Sequence, residues 1–356
     1  MIKMSDFELT ERQQIILGLI VQEYVDSATP IGSNSLVEKY NLAFSSATVR
    51  NEMVALSEAG YLRQPHTSAG RVPTEDAYRF FVGQLMQRPE LPTSLKHTIT
   101  HQFYQARHDS AEWLRLAASV LAHQSNAASI VTAPSADTAR FKHLQLISTT
   151  GRQVLMILVL MGGEVSQQML VLGEPVTQEQ LSAAADQINS LFYGQDAHEI
   201  KSNPSELDTL GKDMYKIVLD DLIRNSSDHT GEVYQDGWTN FLSGPGFAES
   251  AAARRALRVL EERPLLESLL SHTVKNTEVG GVQVLIGGEG TWEELSECSL
   301  VLARYGSPKL ATGILGVLGP IRMSYGHTIS TVDFVAGLMS NLLTDVIGEN
   351  AENSNL

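Results

Sequence analysis

Cysteine is almost missing from this chain: Cys298 stands alone in 356 residues. That excludes an internal disulfide framework and any thiolate metal cluster, and it suits a reducing compartment. Charge is scarce as well. Asp, Glu, Lys and Arg make up 19% of the residues, against roughly 25% in typical soluble domains, so a sparsely charged, self-associating surface is expected. Basic charge is the scarcer sign, with 26 Lys+Arg against 41 Asp+Glu and a formal net charge of -15. A polyanion-binding surface spread over the whole molecule is thereby excluded, and any such contact is confined to a local patch. Long apolar runs are absent too. The longest, "VLMILVLM" at 154–161, is far below membrane-spanning length, and "MIKMSDFELTERQQ" at the start holds no apolar signal core. A cytoplasmic protein with no membrane partner is the expectation.

Catalytic patterns are also lacking. There is no G-x-S-x-G elbow, and "LIGGEGTWEEL" matches neither G-x-G-x-x-G nor a Walker sequence, so it reads as a turn. His97 and His101 have the i, i+4 spacing of metal ligands, but no acidic residue stands beside His97 and no third ligand is evident. Cys298 lies in the apolar "CSLVLA", where a buried, inert thiol is expected. Neither enzyme, cofactor nor metal site is expected.

A chain of this length exceeds what one core usually serves, so two or three domains are expected. Residues 1–88 hold 8 Lys+Arg against 10 Asp+Glu, so nearly all the acidity lies beyond them. Arg50, Arg63, Arg71 and Arg79 fall within one thirty-residue window. The first helix follows Thr10, with Gln13 completing a capping box and Ile16, Leu19, Ile20 and Tyr24 inward. A second starts at a Ser33 cap with Leu36, Val37 and Tyr40 inward, and a third runs from Ser45 or Ser46 to Gly60. The pattern is helix-turn-helix. "YLRQ" and "RVP" then read as strands joined by "PHTSAG", with Gly70 supplying a positive φ. A hairpin directly behind the third helix is the wing of a winged helix. A further helix from Thr74 carries Tyr78, Phe81, Val82 and Leu85, and "RPELPTS" is a linker.

Beyond the linker the pattern is α+β. Two helices at 94–125 and the strand "ASIVTA" precede three strands at hairpin spacing, "FKHLQLI", "RQVLMILVL" and "SQQMLVL", and two helices near 177–193 and 205–224. A strand near Val233, helices at 249–262 and 264–274, three strands and a closing helix from about Thr328 to Ile347 complete the chain. The meander and its helices, about 139–228, interrupt the series around them as an inserted module does. The spacing leaves open whether the exposed face of that sheet meets a partner or is buried within the chain.

On a helical wheel Val49, Met53 and Leu56 of the third helix turn inward, leaving Ala47, Arg50 and Asn51 outward with Thr48 at the edge. Arg bonds guanine bidentately, Asn does so to adenine, and Ala meets a thymine methyl, so this face suits base reading in a major groove. Ser45 and Ser46 at the helix start suit a phosphate. Arg63, His66 and Arg71 flank the small residues Thr67, Ser68, Ala69 and Gly70, a loop able to approach a DNA backbone or minor groove. An ordinary solvated helix face, or a winged helix used for protein contact, would leave these residues without a ligand.

The motifs "LTERQQIIL", "SSATVRNEM", "GYLRQPHTSAGRVPT" and "YRFF" resemble the amino-terminal domain of the HrcA family of bacterial heat-inducible transcription repressors. The likeness continues through "FKHLQLI", "LEERPLLESLL", "ECSLVLARY", "GVLGPIRMSY" and "STVDFVAGLMSNLL". It implies a winged helix at 1–88, a GAF-like domain built from 89–138 and 229–356, and an inserted dimerisation domain at 139–228. It further implies a homodimer that represses chaperone operons at an inverted-repeat operator and is kept active by the GroEL chaperonin. Where the family usually has "GSR", this chain has Asn34 in "GSNSL", which implies a weaker phosphate contact from the second helix. A regulator whose GAF-like domain senses a small molecule stays open beside this reading.

Overall fold

The computed structural model describes residues 9–353 except 67–68, 107–109, 136–138, 162, 203–206, 208, 227–231, 243–250, 275–276 and 308–310. Helix α1 (Glu11–Ser27) begins at the expected capping box: Thr10 Oγ1 accepts from the Gln13 amide and the Gln13 side chain accepts in return from the Thr10 amide. It buries Ile16, Leu17, Ile20 and Val21, while Leu19 and Tyr24 are only half-buried. Its buried arc is thus wider and rotated from the expected stripe, because α1 packs on two sides, against α3 (Ser46–Glu58) and against the π-helical turn Phe81–Leu85. Helix α2 (Ser33–Tyr40) is capped by Gly32 in extended conformation, so Ser33 takes the first helical position instead of the cap. Val49, Met53 and Leu56 are the buried residues of α3, as expected.

Gly60, at φ 88°, reverses the chain into β1 (Leu62–Arg63), which pairs antiparallel with β2 (Val72–Pro73). The base of this hairpin is locked to the end of α3: the Thr74 hydroxyl donates to the carbonyls of Gly60 (2.7 Å) and Tyr61 (3.0 Å). Helix α4 (Glu75–Phe80) then runs into the π-helical turn, and of the four residues expected inward only Tyr78 is buried.

Helices α5 (Thr93–Gln105) and α6 (Ser110–Ser125) lead to β3 (Ala128–Thr132). The chain then forms β4 (Phe141–Ser148), β5 (Gln153–Leu160) and β6 (Val165–Val171), an antiparallel sheet in that order. Helices α7 (Gln178–Phe192), α8 (Ala197–Ser202) and α9 (Thr209–Ser226) follow. The buried residues of this stretch, from Ala139 to Leu222, form a core of their own. The chain returns at β7 (Val233–Asp236), which pairs with β3, so it enters and leaves the excursion on neighbouring strands.

After α10 (Trp238–Leu242), α11 (Ala251–Glu261) and α12 (Arg263–Val274) come β8 (Val282–Ile286), β9 (Cys298–Ser307), β10 (Ala311–Pro320) and α13 (Tyr325–Asn353). The second sheet is antiparallel in the order β7-β3-β10-β9-β8. The strand period of two sends alternate residues of β9 into opposite layers. Val301, Ala303 and Tyr305 face the core containing α6 and α13, while Cys298, Leu300 and Leu302 face α11 and α12. Antiparallel sheets with separate helical layers make the chain α+β. Among the described residues no helix is long and apolar enough to cross a membrane.

The described residues between Leu9 and Phe80 are continuous with this body. One buried cluster runs from Leu9 and Ile16 through Tyr78 to Tyr305 and Val332. Arg79 clamps the junction, donating from Nη2 to Glu75 (2.9 Å) and to the carbonyl of Ile286 (2.8 Å).

Candidate nucleic-acid interface

Electrostatics in the first quarter of the chain turn on which cations are already paired. Arg12 Nη1 lies 3.3 Å from Glu52 and its guanidinium sits 5.1 Å over the Phe44 ring. Lys39 pairs with Glu23, and the resulting hydrogen bond, helped by the Tyr40 hydroxyl, holds the Glu23 carboxyl below its ordinary range. Arg79 is held by Glu75 and Asp76. Arg50, Arg63 and Arg71 have no ion pair or side-chain hydrogen bond among the described residues. Although the segment is slightly acidic in sum, α3 and the hairpin carry three cations without an ion pair among the described residues.

On α3, Ala47, Arg50 and Asn51 are exposed and Thr48 is half-buried. The adjacent carboxylate, Glu52, is turned toward α1, where Arg12 and Gln13 bind it, so it does not offset Arg50. Ser45 is the N-cap: its hydroxyl accepts from the Thr48 amide at 3.1 Å and lies 2.9 Å from the Thr48 hydroxyl. It is therefore less available to a phosphate than expected, whereas the amides of Ser46 and Ala47 remain outside that cap at the positive end of the helix. Val54 is also exposed on this side, a position passed over by the sequence reading of this face, which is confined to Ala47, Thr48, Arg50 and Asn51.

In the hairpin Arg63 and His66 are exposed and Arg71 is half-buried. Thr67 and Ser68 lie outside the described residues. The turn is tied by the Ala69 amide to the His66 carbonyl (2.9 Å) and by Gln64 Nε2 to the Ala69 carbonyl (3.0 Å). Arg63 also lines a cleft of about 450 Å³ shared with Tyr78, Glu297 and Arg322, at the seam between hairpin and body.

Gly70 corrects an expectation. It does not occupy the positive-φ region; it is small because the chain passes against Ile31. Arg71 and Ile31 exchange both backbone hydrogen bonds at 2.9 Å, and a Cβ on Gly70 would stand 2.3 Å from the Ile31 carbonyl oxygen. Gly70 thus pins the loop to the segment before α2. Gly70→Ala is expected to destabilise the protein by about 1–3 kcal/mol through overpacking. Chemical denaturation reads it; an unchanged midpoint would show that the Ile31 segment yields freely.

Other candidate chemistry stays apart from this surface. His97 and His101 are exposed on α5, and among the described residues no group of three or more His, Cys, Asp or Glu is placed to hold a metal. Cys298 is buried, and burial pushes its thiol up to about 12, which keeps it protonated and unreactive. In "LIGGEGTWEEL" the glycines lie in one tight turn, Gly287–Gly290, with Gly287 packed against the Glu75 carboxylate of the junction.

Residues 111–329 match the family model described as the HrcA protein C terminal domain. The chain is 41% identical over 353 residues to the heat-inducible transcription repressor HrcA of Roseiflexus castenholzii, covering 96% of each. It is 42% identical over 349 residues to the protein of the same name from Herpetosiphon aurantiacus, covering 96% of this chain and 97% of that one. Among solved structures, the crystal structure of a hypothetical protein superposes with a TM-score of 0.56 at 23% identity, covering 95% of this chain and 98% of the other; this likeness concerns the fold.

Proposed function

The chain belongs to the HrcA family of heat-inducible transcription repressors, and from that premise we propose that it binds an inverted-repeat operator as a homodimer through a winged helix-turn-helix. Residues 1–88 are the DNA-binding unit, 89–138 and 229–356 a GAF-like body, and 139–228 an inserted dimerisation domain. The observation that carries the reading is the unpaired Ala47–Arg50–Asn51 face at the start of α3, in a segment where Arg12, Lys39 and Arg79 are held by carboxylates. Arg50 and Asn51 read base edges. Ser46, with the helix-start amides, and the hairpin residues Arg63, His66 and Arg71 meet the backbone.

Dimerisation is supported by the outer face of the β4-β5-β6 sheet. Leu155, Ile157 and Val159 line its middle strand, half-buried, and beside them on edge strand β6 Val165, Met169 and Val171 are 55%, 53% and 67% exposed. An apolar sheet face of this kind is unusual unless a partner covers it. GroEL assistance enters through the family resemblance and is supported by the charge-poor composition; refolding from denaturant with and without GroEL, GroES and ATP tests it, equal yields of DNA-binding dimer counting against it.

The test of the main reading is selection of duplexes from a randomised pool by the purified full-length protein. An inverted repeat should emerge; retention without sequence preference would overturn the reading. Arg71→Ala is expected to weaken selected and random duplexes about equally and to reduce the slope of log K against log salt by roughly one. Titrations at three salt concentrations measure this, and a loss confined to one base pair would contradict the backbone role.

A further inference from the structure

Val54 is 40% exposed, and it is the large apolar side chain that α3 leaves in solvent, while Val49, Met53 and Leu56 are buried at 4% exposure or less. At about 100° per residue, Val54 falls within roughly 20° of Ala47 and between Arg50 and Asn51, one turn further along the same face. A polar side chain would cost nothing there in the free protein, whereas a β-branched apolar one forgoes hydration. The face ends one turn later at Glu58, exposed, whose carboxylate would meet phosphates unfavourably. The stripe therefore runs small, cationic, carboxamide, apolar and then anionic along one side of the helix.

Resting on the reading of α3 as the base-reading helix, we propose that Val54 is a specificity-determining residue that packs against the 5-methyl group of a thymine in the major groove. Thymine is the base that offers an apolar group there. The rise from Asn51 to Val54 is about 4.5 Å at 1.5 Å per residue, against roughly 3.4 Å per base step, so the thymine lies one or two base pairs beyond the base bonded by Asn51. Ala47, at the other end of the stripe, reaches a different base.

The test uses full-length wild type, Val54→Ala and, as a control, Ile15→Ala, which removes an exposed apolar side chain on α1 (50% exposed). The probes are the best duplex from the selection above and a series in which each thymine in turn is replaced by deoxyuridine, deleting one methyl. Wild type and Ile15→Ala should lose about three- to fivefold per half-site at one thymine contacted by Val54, the size expected for one buried methyl group. Val54→Ala should bind the parent duplex more weakly by a similar factor and no longer distinguish thymine from deoxyuridine at that position, while keeping its sensitivity elsewhere. If Val54→Ala keeps every thymine preference of the wild type, or if no thymine matters to either, the assignment is overturned with operator binding intact. If the wild type selects no duplex, the DNA-binding reading fails and this one with it.

Discussion

Ile157→Glu is expected to turn the proposed dimer into a folded monomer and to lower affinity for an inverted-repeat duplex by about 10²–10⁴-fold, down to that of one half-site. Ile157 is in the middle of the outer sheet face, flanked across the strands by Gln145 and Gln167, and its side chain points away from the core that Met156 and Leu158 enter on the other face. The monomer therefore tolerates the charge in water. In a dimer the carboxylate is buried between two apolar faces without a partner, which costs several kcal/mol and is incurred on both copies of a two-fold interface. Leu158→Glu, one residue away but wholly buried, should instead unfold the inserted module, so the pair separates loss of association from loss of structure. Sedimentation, circular dichroism and operator titration give the three readouts. An Ile157→Glu protein that still sediments as a dimer would place the interface elsewhere.

Replacing both Arg50 and Asn51 by alanine is expected to remove about 2–6 kcal/mol of sequence-specific binding, as the loss of two bidentate base contacts worth about 1–3 kcal/mol each. Stability should hardly change, because both side chains are exposed and neither has a hydrogen-bond partner among the described residues. Binding to random DNA should fall less, since only one phosphate-attracting charge is lost. Glu52→Ala is the counter-test on the next residue. It releases Arg12 and Gln13 from a surface pair in which Arg12 is exposed and Glu52 half-buried, worth about 1 kcal/mol, and should leave discrimination intact. Unchanged discrimination between operator and scrambled duplex in the double variant would remove this face from the reading surface.

The local elements were legible because their signals are local. The Thr10–Gln13 box, the inward Val49, Met53 and Leu56 and the hairpin spacing of the meander depend on residues within a few positions of one another. Helices α8 and α10 were not, since six and five residues are too few to establish a 3.6-residue period. What the sequence concealed is pairing at long range. It displays Arg12, Lys39 and Arg79 as cations equal to Arg50 and Arg71. Only the fold brings Glu52 to Arg12 from forty positions away and the carbonyl of Ile286 to Arg79. Gly70 is the same case: its glycine character answers to Ile31, so a local turn rule assigned it the wrong reason. The outer face of the meander was invisible because alternation on β5 is apolar on both sides, which does not distinguish a covered face from an open one.

The return of the chain from β3 to β7 bears on heat in a way that charge and surface do not. These neighbouring strands are separated by about one hundred residues, and β3 takes its other neighbour, β10, from further still, with the Ile314 amide donating to Thr132 across 182 positions. Closing a loop of that length costs roughly 2–3 kcal/mol more entropy than closing a five-residue turn, and contacts so distant in sequence slow folding. The excursion can gather its own core early, but the five-stranded sheet cannot be completed until both ends of the excursion are brought side by side. Once melted, such a sheet is expected to re-form late, so the rate at which the fold recovers after heating is set by the connectivity of β3, β7 and β10.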